Sequence, residues 1–368
     1  MTIIVAIGKA LLNIIYMFLK LLPVQKKILF LSRQSDEPSA DIVLLQKKIE
    51  EMHPDYKTVA LAKKLNGPGY IFHMLRQMAH LATSQVLILD SYCIAASILK
   101  HRESLLIIQM WHSVGTMKKF GYSILDMPEG SSSRTAKAFN MHRGYDYVLA
   151  AGEGYKDHLA EGMDFPRDRI VTLPLPRLEL LQDASYVAKT RERIFAAYPA
   201  LKEKKNIVYV PTFRKNDEAG FEAELRKLAQ AIDNDKYNFI PKLHPLTKFE
   251  ADGGGMILDR KFTSFEMLTV ADIVVSDYSC IIYEAAVLRK PLYFYAYDYE
   301  AYMAGRSLYI DYFKEMPGPV CRTPEELAAA VEGGCDMDAL DAFLKKYVSC
   351  TGREAENIVD FVFSHLKK

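Results

Sequence analysis

Histidine, arginine and serine side chains recur where the buried strands of this chain are predicted to end. His112 leaves the apolar run 105–111 and enters a turn of small residues. An imidazole titrates near neutral pH, so a histidine with room beside it is a candidate general base. Lys118 and Lys119 follow in the same block and could hold phosphate. The alternative is a histidine that only hydrogen-bonds its turn, followed by solvated lysines.

A second set of polar residues favours phosphate binding. Ser279 opens a predicted helix, where a hydroxyl, backbone N–H groups and the positive end of the helix dipole attract anions. The same serine is also typical of an ordinary helix cap. Arg214 offers a bidentate fork, and His244 offers a ring N–H, to phosphate oxygens. Together with Arg177 at the predicted hinge, these residues indicate a phosphate clamp.

Several common motifs of nucleotide enzymes and hydrolases are absent from the sequence. GxxxxGK[ST] would indicate a P-loop kinase, GxGxxG after the first strand a dinucleotide site, and GxSxG a hydrolase. The DxD triplets 233–235 and 336–338 lie in polar stretches away from the predicted strand ends, so we interpret them as turn or surface residues. A metal-dependent DxD transferase is therefore disfavoured, no metal ligands are assigned, and a requirement for a divalent cation stays open.

These residues need a scaffold that brings strand ends together. Short apolar runs alternate with helical patterns in two series, which are joined near residue 180. This alternation predicts an α/β protein with two Rossmann-like domains, at 28–180 and 181–350, that face a cleft. Ligands of such sheets bind beyond the carboxyl ends of the strands, which is where the polar residues fall. Separate helices are predicted at 1–27 and 351–368.

Length and composition agree with two folded domains. The chain has 368 residues, of which 50% are hydrophobic and 25% are charged, and its net charge is +1. Each domain is long enough to bury a core. The balanced charge argues against a general nucleic-acid binder. Five scattered cysteines without CxxC spacing indicate reduced thiols in a cytosolic protein.

The first 27 residues carry four lysines and no acid, so the rest of the chain has a net charge of 43 − 46 = −3. Polar residues interrupt this segment too often for a spanning helix. On a helical wheel they form one narrow stripe, which contains Lys9, Asn13, Tyr16 and Lys20. We predict an amphipathic helix in the membrane interface, whose lysines, followed by Lys26 and Lys27, reach anionic headgroups. The alternative is a helix packed on the protein's own core or on a second subunit.

Taken together, the motif blocks resemble the CDP-glycerol glycerophosphotransferases of teichoic acid synthesis. The blocks are WHSVGTMKKFG at 111–121, LPR at 175–177, PTFR at 211–214, KLHP at 242–245, DIVVSDYS at 272–279 and PLYFYAYD at 291–298. The resemblance covers roughly residues 28–345. It implies a two-domain GT-B fold and peripheral attachment to the cytoplasmic face of the membrane. It also implies a reaction in which an acceptor hydroxyl attacks the β-phosphate of CDP-glycerol and CMP leaves.

The resemblance also assigns roles to individual residues. His112 would be the base, and His244 would be the second catalytic histidine. The residues that would contact the donor are Arg177, Arg214, Asp277, Ser279 and Cys280, the last of which stands where the family often has a second serine. The turn 113–115 is similar to that of members that add the first unit to a lipid-linked disaccharide.

The implied partners are a CDP-alditol donor, an acceptor saccharide linked to undecaprenyl diphosphate, and the membrane surface, with no further cofactor assigned. A homo-oligomer is compatible with the sequence. Two other functions stay open at this stage. One is a GT-B sugar transferase that uses a nucleotide sugar, and the other is a non-catalytic nucleotide-binding subunit of a membrane assembly. The choice between glycerol and ribitol, and between primase and polymerase, also stays open.

Overall fold

The structure, a computed structural model, describes residues 2–65, 69–214, 218–244, 247, 249 and 255–367. They form two compact units. The first unit contains the chain up to Val114, then Lys119–Glu179, and the C-terminal stretch from Ser349. The second unit contains Gly115–Lys118 and Leu180–Val348. The sequence-based division near residue 180 set the last helix apart, whereas in the structure this helix belongs to the first unit.

A parallel sheet of six strands forms the centre of the first unit. Its strands are β1 (Lys27–Ser32), β2 (Lys57–Ala62), β3 (Val86–Leu89), β4 (Leu106–Gln109), β5 (Tyr147–Ala150) and β6 (Ile170–Thr172). Their order across the sheet is β2-β1-β3-β4-β5-β6. Strands β1, β3 and β4 are buried along their whole length. Such continuous burial of apolar runs is typical of a parallel sheet with both faces covered.

The second unit is built around a parallel sheet of five strands. They are β7 (Lys205–Val210), β8 (Tyr237–Pro241), β9 (Ile273–Ser276), β10 (Leu292–Tyr295) and β11 (Val320–Cys321), in the order β11-β10-β9-β7-β8. In the register, Ile207 of β7 stands between Phe239 of β8 and Ile273 of β9. These side chains join one buried cluster with apolar residues of the covering helices, including Leu225 and Leu327.

The two sheets share one strand order. Numbered within its own unit, each sheet runs 2-1-3-4-5, and the first sheet adds a sixth strand. The winding therefore reverses between the first and third strands of each sheet, which are β1 and β3 in one unit and β7 and β9 in the other. Doubly wound sheets bind ligands outside the carboxyl ends of the strands at this point. The predicted α/β class with two parallel sheets is confirmed.

Helices cover the sheets and connect the strands. They are α1 (Thr2–Leu19), α2 (Ala40–Met52), α3 (Tyr70–Thr83), α4 (Ile94–Ile98), α5 (Ser133–Ala138), α6 (Lys156–Met163), α7 (Leu178–Gln182), α8 (Ala184–Ala197), α9 (Glu218–Ala231), α10 (Ser264–Met267), α11 (Ile281–Val287), α12 (Tyr299–Gly305), α13 (Tyr312–Glu315), α14 (Pro324–Gly333), α15 (Met337–Tyr347) and α16 (Glu354–Ser364). Thr263 and Glu266 have the spacing of a capping box, and this box is present, because the Thr263 hydroxyl accepts from Glu266 N–H and the Glu266 carboxylate accepts from Thr263 N–H. Helix α16 belongs to the first unit, where Phe363 stacks on His53 with ring centroids 3.4 Å apart.

Helix α1 has its polar stripe towards the protein and its apolar residues towards solvent. Lys9 Nζ donates to the Ala138 carbonyl and to Asn140 Oδ1, each at 3.1 Å. Asn13 Nδ2 donates to the Ile98 carbonyl at 3.0 Å. Tyr16 is only 1% exposed. The exposed large side chains between residues 4 and 24 are instead apolar: Ile4, Ile7, Leu11, Ile14, Ile15, Met17, Phe18, Leu21, Leu22 and Val24.

In this orientation the lysines of the first segment hydrogen-bond to the protein itself, and the predicted contact of this segment with lipid headgroups stays a prediction. Lys20 Nζ donates to the Lys100 carbonyl at 2.9 Å. Lys26 pairs with Asp55 at 2.6 Å. Lys27 is buried and donates to the Thr83 hydroxyl. These ammonium groups thus bind acceptors of the protein itself, and no described helix is long and apolar enough to cross a bilayer.

Candidate functional site

His112 is turned out of the first sheet by an unusual backbone conformation. Trp111, which precedes it, has a φ of 63°, in the left-handed region that costs a bulky residue energy. Gln109, the last residue of β4, supports this bend because its Oε1 accepts from Trp111 N–H at 2.9 Å. The strand therefore ends sharply, and His112 stands at the carboxyl edge of the sheet, as predicted.

The contacts of His112 define which ring nitrogen can act as a base. Its Nδ1 lies 2.9 Å from the Asp90 carbonyl oxygen, which can only accept, so Nδ1 carries the proton. The Gln34 side-chain amide lies 3.2 Å from the same nitrogen. Nε2 then holds the lone pair. Burial lowers the pKa of His112, and the Arg177 guanidinium lowers it further, against the hydrogen bond to Asp90. The imidazole is therefore neutral at pH 7.

Arg177 supports the turn that carries His112. Its Nη1 pairs with Asp41 at 2.5 Å, and its backbone N–H donates to the same carboxylate at 2.8 Å. Its Nη2 donates to the His112 carbonyl at 3.2 Å. The guanidinium thus joins the start of α2 to the histidine turn, and the predicted membership of Arg177 in the phosphate clamp stays a prediction.

Asp90 is a residue of this edge that the sequence-based reasoning did not assign. It directly follows β3 and is only 1% exposed. Among the described residues, no donor reaches its carboxylate oxygens with hydrogen-bond geometry. Burial raises its pKa to about 6, although the Ser32 and Ser91 hydroxyls and its own backbone lie near enough to oppose this shift. The sequence signal that could have identified Asp90 is an acidic residue directly after an apolar strand.

In the second unit, Asp277 follows β9 and organises the neighbouring loop. Its carboxylate accepts from the Thr212 N–H at 2.8 Å and 3.0 Å, and from the Thr212 hydroxyl at 2.8 Å. It also accepts from Tyr278 N–H at 2.5 Å and from Arg214 Nη2 at 2.9 Å. The side chain is fully buried. An acid with this many hydrogen-bond donors holds the loop after β7 in place, and the contact with the CDP-alditol predicted for Asp277 stays a prediction.

Arg214 is held by two carboxylates. Its Nε donates to Asp298 at 2.6 Å, its Nη2 to Asp298 at 3.0 Å and to Asp277, and its Nη1 to the Thr212 carbonyl at 2.7 Å. The rings of Tyr278 and Tyr302 lie 5.4 Å and 5.3 Å from the guanidinium. Burial alone would lower its pKa, but the two carboxylates raise it above the usual range. The bidentate fork predicted for phosphate thus faces Asp298 and Asp277 in the structure.

Ser279 and Cys280 lie between β9 and α11, at the carboxyl edge of the second sheet. The Ser279 hydroxyl lies 3.5 Å from Ile281 N, at the start of the helix. Cys280 is the N-cap residue and makes no side-chain capping bond. Both residues are half-buried. The predicted placement of this pair at a helix start is confirmed, and α11 is a short helix of 7 residues.

Lys118 joins this edge, although it belongs to the sequence block of His112. Its Nζ donates to the Thr212 hydroxyl at 3.2 Å and lies 5.7 Å from the Tyr302 ring. Burial lowers the pKa of Lys118, while the nearby Cys280 and Asp277 raise it. Its neighbour Lys119 belongs to the first unit and lies 3.9 Å from Glu161. The two adjacent lysines are therefore not equivalent.

The backbone that carries Lys118 is fastened within the second unit. Lys118 forms an antiparallel bridge with Leu308, and Met117 accepts from Tyr309 N–H at 2.8 Å. A Cβ atom on Gly115 would lie 2.5 Å from the Tyr283 ring, so only glycine fits this approach. The segment therefore presents the lysine next to Thr212 in a defined position.

His244 lies beyond the end of β8 and is exposed. Its ring packs on Phe213, with ring centroids 4.6 Å apart and planes inclined by 30°. Lys242, two residues earlier, is buried and donates to Asp259 at 2.6 Å and to the Phe262 carbonyl at 2.6 Å. That lysine holds the 259–262 loop. Pro245 of the same block lies outside the described residues.

The acidic triplets serve local structure, as predicted. Asp233 accepts from Asp235 N–H at 3.0 Å in a turn. Asp336 caps α15 by accepting from Asp338 and Ala339 N–H. Within the part of the chain that the structure describes, no group of three or more His, Cys, Asp or Glu side chains is arranged to hold a metal ion.

Comparison with known proteins identifies the class to which this arrangement belongs. A family model described as CDP-Glycerol:Poly(glycerophosphate) glycerophosphotransferase matches residues 14–364. The teichoic acid ribitol-phosphate primase of Bacillus spizizenii is 29% identical over 94% of this chain and 93% of the primase. The teichoic acid poly(ribitol-phosphate) polymerase of the same organism is also 29% identical, over 96% of this chain and 59% of the polymerase. The teichoic acid glycerol-phosphate primase of Bacillus subtilis is 24% identical over 79% of this chain and 76% of that primase.

Solved structures share the fold at lower identity. The wall teichoic acid polymerase TagF superimposes with a TM-score of 0.74 over 99% of this chain and 97% of TagF, at 19% identity. A TagF variant soaked with CDPG has the same TM-score of 0.74, at 20% identity over 93% of this chain and 90% of that chain. The UDP-GlcNAc 2-epimerase of Methanocaldococcus jannaschii gives 0.59 over 92% of this chain and 99% of the epimerase, at 14% identity. These similarities concern the fold.

Proposed function

Because the chain belongs to the CDP-glycerol:poly(glycerophosphate) glycerophosphotransferase family, we propose that it transfers an alditol phosphate from a CDP-alditol to a hydroxyl of a membrane lipid-linked saccharide in teichoic acid synthesis. The alditol is glycerol or ribitol, and the acceptor is linked to undecaprenyl diphosphate. Similarity to a ribitol-phosphate primase over 94% of this chain and 93% of that primase supports addition of the first unit, and chain polymerisation is the alternative. The observation that carries the proposal is the family match over residues 14–364 together with a neutral, edge-placed His112.

His112 would accept the proton of the attacking hydroxyl. Its Nδ1 is engaged by the Asp90 carbonyl, so Nε2 is the nitrogen that takes the proton. The acceptor oxygen forms a new bond to the phosphorus that carries the alditol, and the bond from this phosphorus to the oxygen of CMP breaks. The electron pair and negative charge of the broken bond leave with CMP. Arg177 and Asp41 would keep the histidine turn in place during this step.

Residues of the second unit would hold the donor diphosphate. Lys118, Ser279 and His244 supply one ammonium, one hydroxyl and one ring N–H at the carboxyl ends of that sheet. Arg214 and Asp277 would fix the position of the loop that carries Thr212 and contribute to the electrostatic field at the donor. Phosphoryl transfer depends mainly on positioning and on stabilising charge, and these groups supply both. Cys280 would line the same edge with a thiol.

A donor panel tests the reaction class. The purified chain is incubated with CDP-glycerol, CDP-ribitol and UDP-N-acetylglucosamine, each with a synthetic polyprenyl diphosphate disaccharide, with and without EDTA. We expect release of CMP from one CDP-alditol and a product whose mass increases by one alditol phosphate. Transfer from the UDP-sugar alone would instead identify a sugar transferase, and binding of donors without any turnover would identify a non-catalytic subunit.

Replacement of the base tests the assignment of His112. His112→Ala should lower kcat by about 10²- to 10⁴-fold, which is the usual contribution of a general base. Binding of the CDP-alditol, measured by calorimetry, should be unchanged. His53→Ala is a matched control, because this ring packs on Phe363 in α16 and not at the strand ends. Retention of most of the activity by a folded His112→Ala protein would exclude the base role.

We also propose that the protein is a peripheral protein of the cytoplasmic face of the membrane, attached through α1. The support is the apolar surface of the α1 segment, in which Leu11 is 57% and Phe18 61% exposed while the polar stripe binds the protein. Exposed apolar surface of this extent is typical of a binding surface for protein or membrane. The nearby exposed Phe72 and Ile71 of α3, which packs on α1, extend it.

Vesicle binding tests the location. The triple variant Ile7→Gln/Leu11→Gln/Phe18→Gln keeps the polar stripe that holds α1, so the fold should persist. Sedimentation with phosphatidylcholine vesicles should fall well below that of the wild type. Val43→Gln is the control, since Val43 of α2 is another exposed apolar residue, at 53%. Equal sedimentation of the triple variant would contradict attachment through this face.

A further inference from the structure

A groove runs along the flank of α1 in the first unit. Its volume is about 650 Å³, and it lies between the helix and the 97–100 segment, with Asn140 at one end. Its floor is apolar and includes Ile14, Met17 and Leu99. Three lysines line it: Lys9, Lys20 and Lys100. The reaction described above uses none of these residues.

The charge of this groove is positive and locally uncompensated. Among the described residues that line it there is no Asp or Glu. Lys9 and Lys20 donate to the carbonyls of Ala138 and Lys100, and a carbonyl oxygen carries no net charge. These hydrogen bonds position the ammonium groups and leave their charge available to an anion. The groove therefore favours a ligand that is apolar along its length and negative at its head.

We propose that this groove binds the phosphate of an anionic bilayer lipid, with the lipid chain along the apolar floor. The proposal rests on the membrane attachment proposed above and adds a specific site to it. The floor is continuous with the exposed apolar face of α1, because Ile14 and Met17 belong to both. If α1 lies in the membrane interface, a lipid bound in the groove would lie at the same depth in the bilayer as the helix.

The charge of the groove disfavours a second copy of this chain as the occupant. The described lining of the groove contains three lysines and no acid, so a second α1, which also carries lysines and no acid, would bring like charges together there. A bilayer with anionic lipid supplies both the apolar phase and the opposite charge.

The test compares neutral and anionic vesicles. Wild-type protein should bind phosphatidylcholine vesicles that contain phosphatidylglycerol more tightly than pure phosphatidylcholine vesicles, and high salt should remove the difference. Lys20→Gln/Lys100→Gln should lose about fivefold in affinity per lysine for the anionic vesicles only. The amide introduced at position 20 can still donate to the backbone carbonyl at position 100, so α1 should stay in place. Lys47→Gln is the control, because this lysine of α2 is 75% exposed and remote from the groove in sequence.

Each result decides one question. An unchanged preference of the double variant for anionic vesicles would overturn the groove proposal. Millimolar inorganic phosphate that abolishes the preference without a change in ionic strength would assign the groove to free phosphate and overturn it as well. Absence of binding to either vesicle by the wild type would contradict the membrane attachment itself, whereas the transfer reaction is tested separately by CMP release. A dimer whose contact includes α1 would also overturn the proposal.

Discussion

Asp90 and Asp277 occupy the same topological position in the two units and have opposite environments. Each is the first residue after the third strand of its sheet, at the reversal of winding, and each is buried. Asp277 accepts from the backbone and hydroxyl of Thr212 and from Arg214. No described donor reaches Asp90 with hydrogen-bond geometry. The same sequence signal, a buried strand followed by aspartate, thus yields a rigid anchor in one unit and a titratable group beside a candidate base in the other.

The two aspartates differ because the loops that lie beside them supply different hydrogen-bond donors. The loop after β7 supplies an N–H, a hydroxyl and a guanidinium to Asp277 within a few residues. At the edge of the first sheet, His112 approaches the backbone carbonyl of Asp90, and within the described part of the chain no donor reaches its carboxylate with hydrogen-bond geometry. A buried carboxylate without donors favours its neutral form, which is the physical reason for the raised pKa of Asp90.

The largest expected effect is on stability. Asp277→Ala removes the buried acceptor of the Thr212 N–H and hydroxyl and one of the two carboxylates that hold Arg214, so the free energy of unfolding should fall by about 3–5 kcal/mol. Urea denaturation followed by circular dichroism measures it. Asp233→Ala, in an exposed turn, is the control and should cost less than about 1 kcal/mol. A loss equal to that of the control would mean that the network around Asp277 is not a stabilising anchor.

A smaller effect is expected at the ligand side of the same network. Lys118→Met removes the ammonium beside Thr212, and the KM for the CDP-alditol should rise by about tenfold or more, as for loss of a charged hydrogen bond. The KM for the acceptor should not change. Lys119→Met is the matched control, since this lysine belongs to the first unit and lies near Glu161. Equal donor KM values for the two variants would contradict the role of Lys118.

The opposite sign is expected at Asp90. Asp90→Asn should raise the free energy of unfolding by about 1–2 kcal/mol above pH 7, because the variant cannot ionise in a buried site. Below about pH 4 the Asp90 carboxyl of the wild type is protonated in both the folded and the unfolded chain, so its burial has no ionisation cost. As the pH rises to the folded pKa of about 6, the unfolded chain ionises first and the free energy of unfolding falls. Denaturation curves at pH 4 and pH 7.5 measure the difference. A variant that is destabilised at both pH values would show that the carboxylate has donors.

The smallest expected effect is on the acid limb of the pH profile of kcat/KM. Burial lowers the pKa of His112, so kcat/KM should stay high until the pH is below the ordinary histidine value of about 6.5 and then fall as the base is protonated. Arg177→Gln removes a positive charge that lowers this pKa. The acid limb of the pH profile of the Arg177→Gln variant should therefore move to higher pH. An unchanged or lower limb would argue that Arg177 does not influence the base.

The strand ends were predictable because they depend on local pattern. Apolar runs followed by polar residues placed His112, Arg214 and Ser279 at the carboxyl edges of parallel sheets. The capping box at Thr263 and the turn at Asp233 also follow from neighbouring residues. The roles of the site residues were less predictable, since Asp298, which engages Arg214, is 84 residues away in sequence.

The N-terminal helix shows the same limit. Its amphipathic stripe is a property of the sequence, since the 3.6-residue period sets which residues share a face. The direction of that stripe depends on the acceptors at Ala138, Ile98 and Lys100, which only the folded chain brings to the helix. Composition could not show that Lys9 and Lys20 hydrogen-bond to the protein itself.

The sequence by itself determined the two parallel sheets, the polar residues at their edges and the family to which the chain belongs, because these depend on periodicity and on motif blocks. The tertiary structure decided which of those residues are already satisfied. It pairs Arg214 with two acids, surrounds Asp277 with donors, brings none of the described donors to the Asp90 carboxylate and turns the apolar face of α1 outwards. Whether a buried charge has hydrogen-bond or ion-pair partners depends on residues distant in sequence, and burial sets the energetic cost of leaving the charge unpaired.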